Sequence, residues 1–293
     1  MSSIERRPKV GVVLSSGGLK SFAALALFEF LDEVEIVVDL LVGCSGGGLA
    51  AAARGAGFTP AQMRDLIATF MDQKFFSSVD YRTLLGVAHL PFGRFDEASA
   101  ILRADSYQRA YQEIFKDLKL EDLRPTTLLQ ATGILTGEGV VLSHGPVADA
   151  VYATAAPFPL MPPICIEGRW LVDGAFSSSL PVMEAVKRGM DVIIAVAFGQ
   201  QLTMGASSFF ECFMNFTSRT LTMGERREMA LAIDLHHGEI VMINIEFDTV
   251  IQMWDVDQVP TILEAGQKAI AQKGKEILSA IESLSVNGSI TGP

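Results

Sequence analysis

The chain has 293 residues, of which 49% are hydrophobic and 19% charged, a composition that excludes an intrinsically disordered protein and allows a sizeable core. Its formal net charge of −11, without a long run of lysine or arginine, excludes nucleic acid as a partner. Three cysteines without metal-ligand spacing, and an N-terminus without a secretory apolar region, predict free thiols, no structural zinc and a cytoplasmic location.

Two βα units open the chain. A β-branched run at residues 10–14 predicts a strand, and after a glycine turn the apolar spacing of 21–31 predicts a helix. A second buried strand at 35–42 and a second glycine turn lead into an alanine-rich helix at 49–56. Two such units in succession predict a parallel sheet with helices on both faces.

The middle of the chain is predicted to leave the regular pattern and then return to it. A helix over 60–70 begins with an N-cap threonine and a first-turn proline. Helical periodicity then fails, and we expect the phenylalanine-rich segment 72–97 to form a cap or lid. A helix over 99–115 and strands at 126–133 and 140–143 follow.

The remaining elements complete one domain. They are predicted as a helix at 149–155, a β-hairpin turning at 167–168 and ending at 173, a helix from 181, a strand at 191–198, a long helix from 207, a strand at 240–245 and an amphipathic helix at 259–284. We therefore predict a single α/β domain over 1–285, with a mostly parallel central sheet covered by helices on both faces, and a flexible tail at 286–293.

The second glycine turn contains the pentapeptide Gly43-Cys44-Ser45-Gly46-Gly47, which fits the pattern G-x-S-x-G. It stands between a buried strand and a helix of small residues, the position at which this pattern forms a nucleophile elbow. There a serine is held in a strained backbone conformation that exposes its hydroxyl, and the flanking glycines avoid clashes across the turn. Ser45 is therefore a candidate nucleophile.

Two other interpretations of these glycines are possible. They are also typical of any βα turn in a doubly wound fold, and the pentapeptide by itself does not decide between the two. Residues 46–51 match the dinucleotide-binding pattern G-x-G-x-x-A, but the acidic residue expected about 20 positions on should end a second strand. Asp65 lies inside a predicted helix instead, which argues against a dinucleotide.

Two further patterns carry chemistry. The first glycine turn, residues 15–20, has successive backbone N–H groups that can converge on an oxyanion, and Leu19 stands where a Walker phosphate loop needs glycine. Asp173 ends an apolar strand and is followed by Gly174. Taken alone, an aspartate before glycine is more typical of a turn than of a catalytic site.

The glycine loop, the elbow and the Asp-Gly pair, in this order, resemble the patatin-like phospholipase family. The resemblance extends over most of the chain, with further similar segments at 131–138, 148–156 and 171–181. It implies a three-layer fold, Ser45 as nucleophile and Asp173 as general base. It also implies an oxyanion hole formed by the N–H groups of Gly17, Gly18 and Leu19. Two supporting motifs complete the implied site: the elbow residues Gly43 and Gly47, and the pair Gly174 and Ala175 after the base.

The chain departs from the family pattern at several positions. The usual loop reads G-G-G-x-[RK]-G, whereas Ser15, Ser16 and Ser21 replace glycines here and Lys20 stands where arginine is more common. The elbow has cysteine and glycine at positions where threonine and alanine are common. These departures leave the nucleophile and the base in place.

The resemblance implies a serine acyl hydrolase that cleaves carboxylic esters of lipids and needs no cofactor or metal ion. A lipid or small ester substrate is the expected partner, with a transient apolar contact with a membrane left open. Two alternatives remain: a Ser-Asp-His triad that uses His236 or His237, and an idle scaffold.

Phenylalanines suggest where an acyl chain would bind. Phe75 and Phe76 lie in the predicted cap, and Phe209, Phe213 and Phe216 recur at helical spacing. These rings either line an acyl-chain groove or, for the helical stripe, belong to the core. The sequence indicates neither the head group, the chain length nor the oligomeric state.

Overall fold

The computed structural model describes residues 6–70, 79–87, 89–199, 205, 209–249, 251 and 255–287. Its strands are β1 (Val10–Leu14), β2 (Leu40–Cys44), β3 (Thr126–Gly133), β4 (Gly139–Leu142), β5 (Ile164–Ile166), β6 (Arg169–Asp173), β7 (Val192–Phe198) and β8 (Glu239–Ile245). Its α-helices are α1 (Leu25–Glu33), α2 (Gly46–Gly55), α3 (Pro60–Phe70), α4 (Tyr81–Val87), α5 (Asp105–Phe115), α6 (Val147–Thr154), α7 (Val182–Lys187), α8 (Phe209–Leu235) and α9 (Val259–Asn287).

Three predictions of secondary structure were wrong, and two of them concern boundaries that backbone hydrogen bonds shift. β2 begins at Leu40 rather than at 35, since the N–H of Ile36 donates to the carbonyl of Leu31 and closes α1. α5 begins only at Asp105, because the N–H groups of Ile101 and Leu102 bond to the carbonyls of Pro159 and Leu160. The cap segment contains a short helix, α4, that periodicity did not indicate.

The central sheet has eight strands, with a hydrogen-bonded path β5-β6-β3-β2-β1-β7-β8 and β4 also paired with β3. The five strands β3, β2, β1, β7 and β8 are parallel, and β4, β5 and β6 run antiparallel to their partners. A mostly parallel sheet of this kind is buried on both faces, and its strands consist mainly of apolar residues. The predicted fold class is therefore confirmed.

Alternate side chains of the parallel strands feed two separate hydrophobic clusters. Val12 and Leu14 of β1 belong to the larger cluster, which is completed by residues of α1, α2, α6 and α9. Val13 points to the opposite face and belongs to a smaller cluster with Val182 of α7 and Ala232 of α8. The two clusters show that helices cover both faces, as in a three-layer α/β fold.

β3 is paired with two strands in succession along one edge. Gln130 pairs with Cys44 of β2 and with Val141 of β4, so these two partners lie on opposite sides of β3. The next residue, Ala131, pairs with β4 on that same side and with Asp173 of β6 on the other. β2 and β6 therefore meet end to end beside β3, and this arrangement brings the end of β2 next to Asp173.

Two phenylalanines of the long helix α8 are exposed. Phe213 is 39% exposed and Phe216 is 69% exposed, so the interpretation of the helical stripe as core was wrong for these two rings. The inward side of α8 instead carries Ala232, which belongs to the smaller cluster, and two glutamates that accept hydrogen bonds from Ser178 and Ser179. Phe75, Phe76 and the side chain of Phe209 lie outside the described residues. In the described part of the chain no helix is long and apolar enough to cross a lipid bilayer.

Candidate active site

Ser45 occupies a strained turn between β2 and α2. Its φ of 55° and ψ of −125° lie outside the regions that non-glycine residues normally adopt. The two flanking glycines make this turn sterically feasible. A Cβ atom on Gly43 would overlap the backbone of Gly47, and one on Gly47 would overlap the carbonyl of Ser15. The structure thus has the geometry of a nucleophile elbow at the position of the G-x-S-x-G pattern.

The hydroxyl of Ser45 donates a hydrogen bond of 2.7 Å to Oδ2 of Asp173. The other carboxylate oxygen, Oδ1, accepts a hydrogen bond of 2.9 Å from the backbone N–H of Ala175. Asp173 is only 5% exposed, although it lies within reach of the serine. A buried carboxylate in direct contact with a serine hydroxyl is able to accept the serine proton.

Burial determines the proton affinity of Asp173. Removal from water raises the pKa of this carboxyl to about 6, and the hydrogen bonds from the Ala175 N–H and the Ser45 hydroxyl oppose the rise. A carboxylate with a pKa of about 6 is a stronger base than one in water, and it is still ionised at neutral pH.

Gly174 allows the strand that carries Asp173 to approach β3 closely. A Cβ atom on this residue would overlap the backbone of Gln130. Glycine is therefore required directly after the aspartate, which gives the Asp-Gly pair a structural reason beyond the turn. A network around Ser177, whose hydroxyl bonds to Gln130 and Thr132, supports the same segment.

Thr154 is a supporting residue that the sequence analysis missed. Its Oγ1 accepts a hydrogen bond of 3.0 Å from the N–H of Ser45, and its hydroxyl donates to the carbonyl of Gln130. The side chain is fully buried at the end of α6. The sequence signal for this role was a threonine at the end of a helix rich in alanine. Its contacts with Ser45 and Gln130 become visible only in the structure, where β2 is paired with β3.

The glycine loop, residues 15–20, lies directly against the elbow. Gly18 has a φ of 54°, and a Cβ atom on Gly46, the first residue of α2, would overlap the backbone of Gly18. Hydrogen bonds within and around the loop use the N–H groups of Ser15, Ser16 and Lys20. The three N–H groups expected to form the oxyanion hole, those of Gly17, Gly18 and Leu19, are not among these donors, and Gly18 lies beside the N-terminus of α2.

Lys20 is buried beside the same loop. Its side chain is 7% exposed, and Nζ lies 3.4 Å from the carbonyl oxygen of Gly199. Burial lowers the pKa of Lys20 to about 8, and the nearby charge of Glu225 opposes this change. The positive charge of Lys20 therefore lies at the glycine loop and is largely shielded from bulk water.

The histidines lie far from Ser45. His236 and His237 directly precede β8, which is parallel to β7, so they lie at the amino ends of the parallel strands. Ser45 follows the carboxyl end of β2. Strands of this length separate the two ends by about 20 Å. His144 binds Glu167 at the surface, and His89 is exposed. None of these histidines is among the described hydrogen-bond partners of the Ser45 and Asp173 side chains.

An α/β fold with a serine on a strand-to-helix elbow, bonded to a buried carboxylate, has the architecture of a serine acyl hydrolase. The sequence model described as patatin-like phospholipase matches residues 12–186, more than half of the chain. The chain therefore belongs to the patatin-like phospholipase family. The predicted family is confirmed.

Relatives in the curated proteins carry related names. Lysophospholipase NTE1 of Kluyveromyces lactis is 25% identical over 190 residues, a match that covers 65% of this chain and 12% of that protein. An uncharacterized NTE family protein of Mycobacterium tuberculosis is 27% identical over 190 residues, covering 65% of this chain and 49% of the relative. The chain thus spans about half the length of these relatives or less.

A solved structure shares the fold. The crystal structure of VipD from Legionella pneumophila superposes with a TM-score of 0.50 at 13% sequence identity. The match covers 97% of this chain and 67% of that one. At this identity the similarity concerns the fold alone.

Proposed function

We propose that this protein hydrolyses carboxylic esters of lipids through a catalytic dyad of Ser45 and Asp173. The observation that carries this proposal is the 2.7 Å hydrogen bond from the Ser45 hydroxyl to Oδ2 of a buried Asp173. A serine hydroxyl is a weak nucleophile at neutral pH and needs a positioned base. Asp173 is the titratable group in hydrogen-bond contact with it.

The first half of the reaction forms an acyl-enzyme. Oγ of Ser45 attacks the carbonyl carbon of the ester while its proton moves to Oδ2 of Asp173. The tetrahedral intermediate then collapses, the bond between the carbonyl carbon and the leaving oxygen breaks, and the leaving alcohol takes the proton from Asp173. The acyl group remains on Ser45 as an ester.

The second half uses water in the place of the alcohol. Asp173 accepts a proton from a water molecule while the oxygen of that water attacks the acyl carbon, and a second tetrahedral intermediate forms. Its collapse breaks the bond to Oγ of Ser45, which recovers the proton from Asp173 and releases the fatty acid. The cycle balances without a redox partner.

The glycine loop would stabilise the charge on the carbonyl oxygen in both halves. Backbone N–H groups of Gly17, Gly18 and Leu19 are the candidate donors, and the N-terminus of α2 lies beside them. Donors fixed in place before the reaction are effective because they need no reorganisation, and one such donor is worth about 3 kcal/mol.

The substrate class follows from the family and its named relatives. The names of the fungal relatives specify lysophospholipase, which favours a lipid with one acyl chain as the first substrate to test. Exposed apolar residues of α8, such as Phe216, are suited to a transient contact with a lipid surface.

We also propose that residues 1–285 act as one domain, because the strands that form the site come from 10–198 and α9 packs against α1.

The direct test is labelling followed by turnover. A fluorophosphonate should react with Ser45 of the purified protein, with loss of fluoride, and mass spectrometry of the peptides should locate the adduct there. Lysophosphatidylcholine and a short-chain ester should both be hydrolysed. Labelling of another residue, or turnover by a chain with alanine in place of Ser45, would contradict the proposal. A protein that neither labels nor turns over would favour an idle scaffold.

A further inference from the structure

Glu225 on α8 lies at the end of a chain of hydrogen bonds that begins in the glycine loop. The hydroxyl of Ser179 donates to Oε1 of Glu225 at 2.5 Å. The hydroxyl oxygens of Ser16 and Ser179 are 2.7 Å apart. Because the proton of Ser179 is used by the carboxylate, Ser16 must be the donor in this second bond. The direction is therefore fixed from the loop to α8.

Ser179 makes two hydrogen-bond contacts with the glycine loop. Its backbone carbonyl accepts a hydrogen bond of 2.8 Å from the N–H of Ser16, in addition to the contact between the hydroxyls. Ser179 is 4% exposed and lies six positions after Asp173 on the same segment. One serine thus connects the segment that carries the base with the loop that carries the candidate oxyanion donors.

This connection depends on the side chain of Ser16. Its hydroxyl is the group that reaches Ser179. A glycine at this position would be held by its backbone alone. The extra hydroxyl needs an oriented acceptor, and Glu225 provides one by fixing the rotamer of Ser179.

We propose that Glu225 is a positioning residue, which holds the glycine loop in register with Ser45 through Ser179 and Ser16. This inference rests on the proposed function, since it assigns the loop a role in stabilising the oxyanion. Gly17 directly follows Ser16 and is the first candidate donor. A displacement of such donors by about 1 Å is enough to lower turnover by up to about a hundredfold.

α8 offers a matched control on the same face. Glu228, one helical turn from Glu225, accepts a hydrogen bond of 2.5 Å from the hydroxyl of Ser178. Both carboxylates are half-buried, and burial raises the pKa of each. Glu228 attaches α8 to the same segment but makes no described contact with the loop. Loss of Glu228 therefore reproduces the packing defect without breaking the chain to Ser16.

The experiment compares Glu225→Ala, Glu225→Gln and Glu228→Ala on a short-chain ester. We expect Glu225→Ala to lower kcat and the rate of fluorophosphonate labelling about tenfold or more, with KM changed less than about threefold. Glu225→Gln should recover most of the loss, because its amide oxygen accepts the bond from Ser179. Glu228→Ala should keep kcat within about twofold while its Tm falls as much as that of Glu225→Ala.

Two results would overturn the proposal. If Glu228→Ala loses as much kcat as Glu225→Ala, the effect comes from the attachment of α8 in general. If Glu225→Gln is as poor as Glu225→Ala, the negative charge beside Lys20 is required rather than the hydrogen bond. Should Glu225→Ala fail to fold, Ser179→Ala removes the middle of the chain with a small change in volume, and unchanged kcat in this variant would contradict the inference.

Backbone hydrogen exchange separates this inference from the proposed function. Residues 15–20 should exchange faster in Glu225→Ala than in Glu228→Ala, whether or not the ester is hydrolysed. Equal exchange in both variants would overturn the positioning role. Full activity of a Ser45→Ala variant would instead contradict the dyad, and the exchange result would stand independently.

Discussion

Two aspartates at opposite ends of the sheet have opposite electrostatic surroundings. Asp39, just before β2, accepts hydrogen bonds from the guanidinium of Arg7 at 2.7 Å and from the N–H of Val10 at 2.9 Å. Burial raises the pKa of Asp39, but the bonds and charges of Arg7 and its neighbours outweigh this and keep it below the ordinary value. Asp173 has no described cationic partner, and burial raises its pKa to about 6.

The difference shows how one residue type acquires two roles. A carboxylate beside a cation holds its charge tightly and is a poor proton acceptor. A carboxylate that is buried with only hydroxyl and N–H donors is destabilised as an ion, and it gains proton affinity. Asp39 therefore ties the strands together, whereas Asp173 is suited to act as a base.

The largest expected effect breaks the dyad itself. Ser45→Ala and Asp173→Asn should each lower kcat on a short-chain ester by about a thousandfold or more, because the two residues transfer one proton as a unit. The double variant should be no worse than either single one. Asp39→Asn serves as the control and should retain full kcat. Losses in the single variants that multiply in the double variant would show that the residues act separately.

The pH dependence tests the raised pKa of Asp173. Only the ionised carboxylate accepts the serine proton, so kcat/KM should fall about tenfold per pH unit below a pH of about 6 and level off above it. The substrate should be an uncharged ester and its product should be measured by chromatography, so that detection of the product does not itself depend on pH. A fall that begins only near pH 4 would show that the carboxylate behaves as it does in water.

The contributions of Asp39 and Asp173 to the free energy of unfolding should depend on pH in opposite directions. The pKa of Asp39 is lower in the folded chain, so its contribution is present above about pH 4 and is lost as pH falls through the folded value. The pKa of Asp173 is higher in the folded chain, so ionisation opposes folding as pH rises from about 4 through about 6. At pH 7, Asp39→Asn should lower the free energy of unfolding by about 1 kcal/mol.

Asp173→Asn should instead leave the free energy of unfolding unchanged or raise it, by at most about 3 kcal/mol. Urea denaturation at pH 7 measures the free energy of unfolding of both variants. The wild-type protein at pH 5 provides a second reference for these values. A marked fall in the stability of Asp173→Asn would mean that its carboxylate is a structural group rather than a destabilised base.

The smallest expected effect concerns the histidines at the amino ends of the strands. Alanine at both His236 and His237 should leave kcat/KM within a few-fold of the wild-type value, because these residues lie about 20 Å from Ser45. A triad that uses either histidine predicts a loss of several orders of magnitude. The same ester assay at pH 8 measures the difference.

Strand positions were largely predictable from the sequence. β1 and β3 have the predicted bounds because both are runs of β-branched and apolar residues bounded by turn residues. β2 was less well predicted, since residues 35–39 have a strand-like composition but are used to close α1. The chain of contacts from Ser16 to Glu225 was not predictable, because it joins residues more than 160 positions apart.

The sequence by itself determined the family, the α/β fold and the candidates Ser45 and Asp173, since three motifs in this order are more specific than any one glycine turn. Only the tertiary structure showed that these two side chains touch. β3 pairs first with β2 and then with β6 along one edge, so the contact depends on strand register. Register and burial arise from interactions between distant parts of the chain, and local sequence patterns do not carry that information.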